Sequence, residues 1–589
     1  MIRNALISVS DKTNLNKLLP FLISRSANIY ASSSTYKHIN ELLSESDTST
    51  SNLHRVQDLT QHVEFLEGRV KTLHPKIHGG ILADRTNPQH MYELKTMEIP
   101  PIDMVVCNLY PFEKTISGLH TEKDAIENID IGGPTMIRAA AKNFESVYVL
   151  TSPIEYEYFI KKMESFDDED ELLNLRKELA TSAFNHVTRY DAVISEYFNN
   201  IIGGEKDKLL IKNYRKEGDL RYGLNPQQKS ASIYTSVSHS TSPFTVLSGA
   251  PGYINMLDAI YSWNLVKECS SALDLITVAS FKHCSPAGVG TNLVPLSEEE
   301  KSAFLLTPRD LETPLSNTAT AFLRARYTDP KCSFGDFLAF SSPVDMQTAN
   351  LIKREVSDGI VAPGYDEGVV ELLASKKGGK YLILQADPTF VPPSKEIREL
   401  HGVTLVQDRN ETILRPTYFT PETAKTMTKI ISDENKVNLA LGMMTLKYTQ
   451  SNSVAITFRG QTVGVGAGQQ SRIDCVELAG EKAQLWYERQ HPSVLKIKHD
   501  SNTKRVDRIN DIYTYIKVNR DMLSYLIPEY CLASDAFFPF SDNIHVANKY
   551  YVRHVVQPGG SLADHSVTKA CDGYGMSMFT TNGDRFFLH

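Results

Sequence analysis

DMVVCNLYPF, residues 103–112, reads as a short buried strand that stops at a proline. Its apolar run is rich in valine and too short for a helix, which is the pattern of a strand covered on both faces. Three more segments of the same kind lie nearby: NALISVS (4–10), SANIYA (26–31) and SVYVLT (146–151). Helical patterns such as KTNLNKLLPFLI (12–23) and TMIRAAAKNF (135–144) fall between them. Continuous apolar strands alternating with helices predict a parallel α/β sheet. The polar run SESDTSTSN (44–52) reads as a loop within this sheet domain. Residues 153–200 read as helical throughout, with the acidic run DDEDE (167–171) as a solvated face. The two glycines and following charges of IIGGEKDK (201–208) mark a boundary. The expected organisation is a first domain over 1–200, a linker over 201–210 and a second region over 211–589.

That second region is also mixed α/β. LITVAS (275–280), DFLAF (336–340), SVAITF (453–458) and GYGMSMF (573–579) read as strands. MLDAIYSWNLVKECSSAL (256–273) and TAKTMTKIISDENKVNLALGMM (423–444) read as helices. Two subdomains are expected, divided between about 370 and 400.

Composition excludes several classes. The chain has 589 residues, 41% of them hydrophobic and 22% charged, with a net charge of −8. A nucleic-acid binder carries a basic balance or stripe, and neither is present. Seven scattered cysteines without a CxxC pair suit a reducing compartment and argue against a disulfide framework or a cysteine zinc site. No apolar run approaches the ~18 residues of a membrane span, and MIRNALISVSDK lacks a signal-peptide layout, so the cytosol is expected.

Ligands of open parallel sheets bind beyond the carboxyl ends of the strands, which singles out several loops. Ser8, Ser10 and Lys12 follow the first strand. Ser32, Ser33, Ser34 and Thr35 follow the second and open a helix, an arrangement suited to a phosphate at a helix N-terminus. GRVKTLHPKIHGG (68–80) adds Arg69, Lys71, His74, Lys76 and His78, a cationic loop for an anionic substrate. Its HxxxH contains Pro75 and cannot form a regular helical metal pair, so no metal is expected. Asn108 and Tyr110 emerge after the opening strand. NIDIGGPTMIRAAAKN (128–143) places Asp130 before a Gly-Gly pair and Lys142 twelve residues on.

In the second region FKHCSPAG (281–288) sets Lys282 and His283 at the mouth of a strand, with Pro286 and Gly288 expected to force the turn. LRYGLNPQQ (220–228) offers Arg221 and Tyr222 to an anion, and PGYINMLDA (251–259) offers Asn255 before a helix. FGDF (334–337), SDGIVAPGY (357–365), KYTQSNSV (447–454) and GVGAGQQSR (464–472) read as polar or glycine-rich loops. The last is not a dinucleotide fingerprint, because Gln469 stands where a third glycine belongs. In DAFFPFSDN (535–543) the phenylalanine rings suit a flat heterocycle, with Asp535, Asp542 and Asn543 to read its polar edge.

These motifs occur together in one order: SVSDKT, GRVKTLHPKIHGGIL, CNLYPF, IDIGG…RAAAKN, LRYGLNPQQ, GAPGYINMLDA, SFKHCSPAG, SFGDF, REVSDGIVAPGY, KYTQSNSV, GAGQQSRI and SDAFFPFSDN. The chain closely resembles, over essentially its whole length, the bifunctional purine-biosynthesis family that joins AICAR transformylase to IMP cyclohydrolase. The resemblance implies a methylglyoxal-synthase-like N-terminal domain carrying the cyclohydrolase. It implies a transformylase built from two cytidine-deaminase-like subdomains without zinc, and a homodimer with transformylase sites at the subunit interface. No tightly bound cofactor is implied; 10-formyltetrahydrofolate is the co-substrate, and AICAR, formyl-AICAR and IMP are the other ligands.

The resemblance also implies roles. Lys282, His283 and Asn452 would carry formyl transfer. Arg221, Tyr222, Asn255, Gly335, Asp358, Arg472 and Arg585 would hold the ribotide. Ile473, Phe537, Phe540, Asp542, Asn543 and Ser561 would hold the folate. In the first domain Lys71, Tyr110, Asp130 and Lys142 would handle protons, with Lys142 as the donor. Arg69, Val70, Thr72, Cys107, Asn108, Ile131, Gly132 and Gly133 would join Ser10, Asp11, Lys12 and residues 32–35 around the substrate. The sequence departs from the family at Ser32-Ser33-Ser34-Thr35, where Ser-Gly-Gly-Thr is common, at Pro134, and most broadly over about 485–530, where no site residue is assigned. Two other readings remain for the first domain: a nucleotide-binding regulatory module, or a lyase acting on a triose phosphate. The full Lys71, Tyr110, Asp130 and Lys142 set favours catalysis over binding alone.

Overall fold

Strand β1 (Asn4–Val9) is buried along almost its whole length and lies at the centre of a five-stranded sheet. Its neighbours are β2 (Asn28–Ala31) and β4 (Met104–Asn108). The edges are β3 (Leu53–Arg55) and β5 (Tyr148–Leu150), and the order is β3-β2-β1-β4-β5. Every pairing is parallel, as the buried, valine-rich strands predict. This is a computed structural model; it describes residues 2–46, 49–66, 68–165, 168–202, 210–236, 242–500, 502–523, 529–583 and 587. The chain forms two compact units, Met1–Tyr214 and Arg215–His589. Most of the expected linker, residues 203–209, lies outside the described residues. The helical stretch after β5 is two helices, Glu155–Ser165 and Glu169–Ile202.

The second unit begins with β6 (Tyr214–Asp219) and β7 (Ser232–Ser236), which pair as a ribbon. Its main sheet draws on β8 (Phe244–Ser248), β9 (Thr277–Lys282), β10 (Ser285–Thr291), β11 (Asp336–Phe340), β12 (Ser357–Ala362) and β13 (Leu382–Ala386). A separate hairpin follows, β14 (Lys395–Leu400) with β15 (Val403–Asp408). The sheet is completed by β16 (Ser453–Phe458), β17 (Gln461–Ala467), β18 (Tyr530–Ser534), β19 (Val552–Gln557) and β20 (Ser577–Thr580). Its eleven strands run β20-β19-β18-β16-β17-β10-β9-β11-β12-β13-β8.

This order contains a duplication. A helix (Tyr253–Leu273) leads into the antiparallel pair β9–β10, and β11, β12 and β13 then pair in parallel beyond β9. A second helix (Asp433–Leu446) leads into β16–β17, and β18, β19 and β20 repeat the arrangement beyond β16. The two halves join where β10 meets β17. The second leading helix is shorter than its sequence pattern predicts, because the Ser432 side chain accepts a hydrogen bond from the Asn435 N–H and caps it there.

Two glycine-rich segments read as turn or loop are strands. β10 contains Pro286 and Gly288, and β17 contains Gly464 and Gly466. The reason is close helix packing. A Cβ on Gly288 would stand 2.2 Å from the Ala325 carbonyl oxygen, and one on Gly466 2.1 Å from that of Cys475. The helices Asn317–Thr328 and Arg472–Glu488 therefore lie almost on the backbone of these strands, in the same way in both halves.

Candidate active sites

The first site gathers at the carboxyl edge of the five-stranded sheet. Asn108, at the end of β4, ties the adjacent loop after β1. Its Oδ1 accepts from the N–H groups of Ser10 (2.7 Å) and Asp11 (2.9 Å), and its Nδ2 donates to the Asp11 carbonyl. Its polar atoms are thus spent on shaping the loop that presents Ser10, Asp11 and Lys12. The four hydroxyls of 32–35 do different work from one another. Thr35 is fully buried and bonds the Val9 backbone through both its donor and its acceptor; Ser32 bonds Ser8 and Thr35. Ser33 donates to the Glu64 carboxylate, which also receives the Ser33 N–H, and Ser34 is exposed. A carboxylate thus rests on the N-terminus of helix Ser33–Glu45, where the sequence places a phosphate. Its favourable position comes from the helix dipole and the free N–H groups.

Asp130 is the centre of the group to which the sequence reading gives proton handling. Its backbone N–H donates to the Tyr190 hydroxyl (2.8 Å), and its Oδ1 accepts from the Gly133 N–H (2.8 Å). Burial pushes its carboxyl above the usual range, opposed by backbone hydrogen bonds and by the charge of Lys71. Lys71 in turn reaches the Tyr110 hydroxyl at 3.5 Å. The glycine pair is required sterically: a Cβ on Gly133 would lie 2.5 Å from Asp130 Oδ2, and one on Gly132 2.8 Å from Thr72 Oγ1. Cys107 is buried below, its thiol pKa raised by burial and by the charge of Asp130. Arg69 is exposed and ion-paired with Glu127; Val70 bridges to Phe65, and Ile131 is exposed beside the helix start.

Lys142 is not part of this cluster. The helix Gly132–Lys142 starts at the Asp130 end and Lys142 is its last residue. Ten residues at ~1.5 Å rise put the two ends about 15 Å apart, beyond the reach of a lysine side chain. The twelve-residue spacing that joined Asp130 to Lys142 in the sequence instead separates them along one helix.

The second site forms on one edge of the eleven-stranded sheet. β9 and β18 end there, and β10, β11, β12 and β16 begin there, because the intervening pairings alternate direction. Lys282, His283, Gly335, Asp358, Asn452, Arg472 and the segment 535–543 therefore share this edge, though they span more than 250 residues of chain. Contacts bind it together. Lys282 Nζ donates to the Phe334 carbonyl at 2.7 Å, and the Gln450 N–H reaches Ser285 Oγ at 3.4 Å.

The turn at 281–288 is made by His283 and Cys284 themselves, with φ of 57° and 60°. Two consecutive left-handed residues form the tight turn that matches a hairpin's twist, a place that favours Asn-Gly and strains larger side chains. The corresponding turn of the second half is Arg459-Gly460. Asp258 holds the strained turn: its Oδ1 accepts from the Cys284 N–H at 2.8 Å. Burial, and to a lesser degree the nearby charge of Asp358, pushes its carboxyl up to about 6. The Cys284 thiol is pushed up to about 11 by burial and by Asp258. Asp358 itself is exposed and paired with Lys377.

Asp535, expected to read a heterocycle's edge, is instead fully buried and ion-paired with Arg472. It also accepts from the Ser451 hydroxyl (2.9 Å) and from the N–H (2.9 Å) and hydroxyl (3.0 Å) of Ser453. Arg472 passes this order on, donating to Asn452 Oδ1 at 2.9 Å, while Asn452 Nδ2 donates to the Gln470 carbonyl. The guanidinium is thus a buried strut for Asn452. Near it, Phe587 N–H donates to the Asp535 carbonyl, which docks Phe587 here; Arg585 lies outside the described residues. Arg221 bonds Asn255 Oδ1 at 3.1 Å, and its guanidinium stands 5.8 Å from the Tyr222 ring. Ile473 and Phe537 are partly exposed, Phe540 and Asp542 exposed, and Asn543 buried with its Nδ2 on Asp542. Ser561 accepts the Ala563 N–H in the loop after β19.

Sequence reasoning missed Glu64, Tyr190 and Asp258 and misplaced Asp535. Only Asp258 left a signal: it falls three residues after Asn255, on the same helical face.

The family model described as the AICARFT/IMPCHase bienzyme matches residues 140–482, and the MGS-like domain matches residues 15–135. The chain belongs to the AICARFT/IMPCHase bienzyme family. It is 33% identical to the bifunctional purine biosynthesis protein PurH of Acetivibrio thermocellus over the full length of both chains. It is 32% identical to that of Ruminiclostridium cellulolyticum, again over the whole of each. A solved chain titled crystal structure of ForH is 33% identical over 34% of this chain and 99% of its own, at a TM-score of 0.28, too low to bear on the fold. As a member of this family the protein is a bifunctional enzyme of purine biosynthesis, with formyltransferase and IMP cyclohydrolase activities. No helix among the described residues is long and apolar enough to cross a membrane.

Proposed function

We propose that the Lys282–His283 edge transfers formyl from 10-formyltetrahydrofolate to AICAR, and that the Asp130 edge closes formyl-AICAR to IMP. The reading is carried by one observation: a strained, buttressed turn presents two bases on the sheet edge that also holds Asn452. The 5-amino group of AICAR is a poor nucleophile, because its lone pair is drawn into the ring and carboxamide. His283 takes its proton as it attacks the formyl carbon. Lys282 then stabilises the tetrahedral oxyanion. Asn452, braced by Arg472 and Asp535, orients the carboxamide. Arg221, Tyr222, Asn255, Gly335, Asp358 and Arg585 surround the ribotide, and Ile473, Phe537, Phe540, Asp542, Asn543 and Ser561 the folate.

At the first site Ser10, Asp11, Lys12, the 32–35 loop and Arg69 take the phosphate, and Glu64 leaves Ser33 when it arrives. Ring closure joins the carboxamide nitrogen to the formyl carbon within one molecule and expels water. Holding the folded conformer supplies up to ~7–11 kcal/mol. Lys71, Tyr110 and Asp130 manage the protons and the oxyanion. Lys142 enters only from a second copy of the chain, which the proposed homodimer provides. Binding is to these small ligands, with no resident cofactor, and the setting is the cytosol.

The roles separate experimentally. His283→Ala should lower formyl transfer by about 10²–10⁴-fold while leaving closure of supplied formyl-AICAR intact; Lys71→Ala should do the reverse. Loss of both reactions in either variant, with the fold preserved, would contradict the division of labour.

A further inference from the structure

The long helix Glu169–Ile202 delivers one side chain to the first site that the ring-closing chemistry leaves without a role. Ala183 and Val187 are buried on one face of this helix, and Tyr190 continues that face, half-buried against the core of the first unit. The Phe112 ring meets it edge-on, with centroids 6.3 Å apart. Burial pushes the Tyr190 phenol up to about 12, so its hydroxyl keeps its proton at neutral pH.

That hydroxyl is spent on the short segment between two helices. The helix Glu122–Glu127 is capped by Asn128, and the helix Gly132–Lys142 starts four residues later. Between them the Tyr190 oxygen accepts from the Asp130 N–H at 2.8 Å, and its proton goes to the Asn128 carbonyl at 3.1 Å. One group thus fixes the backbone on both sides of Ile129. Asp130 Oδ1 is tied in turn by the Gly133 N–H at 2.8 Å. With its backbone and its carboxyl both held, Asp130 stays within reach of the Lys71 charge and of the Tyr110 N–H.

We propose that Tyr190 is a positioning residue for ring closure, whose hydroxyl holds the Asp130 backbone so that the carboxyl faces Lys71 and Tyr110 in the reacting arrangement. The inference rests on the reading that the Asp130 edge closes formyl-AICAR. Tyr190 acts through Asp130 and not on the ligand, and the loops that take the phosphate do not depend on it. A reacting group misplaced by about 1 Å costs on the order of 10²-fold in rate. An interaction that matters only at the transition state is lost from kcat and not from KM.

A double-mutant cycle on the full-length protein, supplied with formyl-AICAR, tests this. Tyr190→Phe should lower kcat for closure by about 10–100-fold, move KM by less than about twofold and leave formyl transfer unchanged. In an Asp130→Asn background the same change should alter the residual closure by less than about twofold, because the group it positions is already gone. Arg189→Ala removes the neighbouring exposed ion pair with Glu113 and should keep closure within about twofold of the parent. Equal losses in the two backgrounds would overturn the proposal, since they would mark a general structural role. So would a raised KM at unchanged kcat, or unaltered closure in Tyr190→Phe. Full closure by Asp130→Asn would contradict the functional reading itself, and the proposal with it.

Discussion

Replacing Asp258 by asparagine should make the second unit more stable at neutral pH and leave it little changed in acid. The carboxylate is 6% exposed, and the Cys284 N–H is its one hydrogen-bond partner recorded among the described residues. Its folded pKa of about 6 stands against an ordinary 3.8. About two units at ~1.36 kcal/mol each give roughly 3 kcal/mol of cost once the group is ionised in both states. Below pH ~4 both states hold the proton and no cost arises. Between about 4 and 6 the unfolded chain releases the proton first, so stability falls as pH rises; above 6 the full cost applies. The asparagine side chain in Asp258→Asn cannot ionise, and its Oδ1 can still accept the Cys284 N–H. The shift to about 6 already includes the stronger hydrogen bond to the charged form, so the net gain at pH 7.5 is about 3 kcal/mol. Both tryptophans, Trp263 and Trp486, belong to the second unit, so their fluorescence during urea unfolding reports that unit. A gain at pH 7.5 that shrinks below about 1 kcal/mol at pH 4 is expected. A variant less stable at pH 7.5, or a gain equal at both pH values, would refute the reasoning.

Other perturbations follow from the same geometry. Asp535→Ala strands the buried Arg472 guanidinium and should cost about 3–5 kcal/mol in the same unfolding assay, with formyl transfer reduced as Asn452 loses its brace. Gly466→Ala drives a methyl into the Cys475 carbonyl, 2.1 Å away, and should cost at least about 1–3 kcal/mol, read as a lower urea midpoint. Lys142→Ala and Tyr110→Phe should each depress ring closure alone. Mixing the two variant chains should restore part of it, because a hybrid dimer keeps one site with both groups intact.

How far the sequence discloses this molecule depends on what each residue's pattern reports. Buried strands such as 104–108 announce themselves, since covering both faces leaves only apolar residues. β3 does not, because Leu53-His54-Arg55 is short and polar at an edge. β10 and β17 are hidden by their glycines, which resemble loop residues until the helix backbones pressed against them are seen. Among the proposed site residues, the place of Lys282 and His283 at a strand mouth was legible. The partnership of Arg472 with Asp535 was not, since 63 residues separate them and only the sheet brings β17 and β18 to one edge. Lys142 shows the opposite failure: nearness in sequence along a helix became distance in space.

The central claim is that one chain performs both reactions in succession. The most direct measurement mixes the purified protein with AICAR and 10-formyltetrahydrofolate and follows tetrahydrofolate and IMP separately. The account predicts that both appear, at equal rates once formyl-AICAR has reached its steady level, with tetrahydrofolate exceeding IMP by the formyl-AICAR still present. Tetrahydrofolate with steadily accumulating formyl-AICAR and no IMP would contradict the catalytic role of the Asp130 edge, and the absence of both products would contradict the account as a whole.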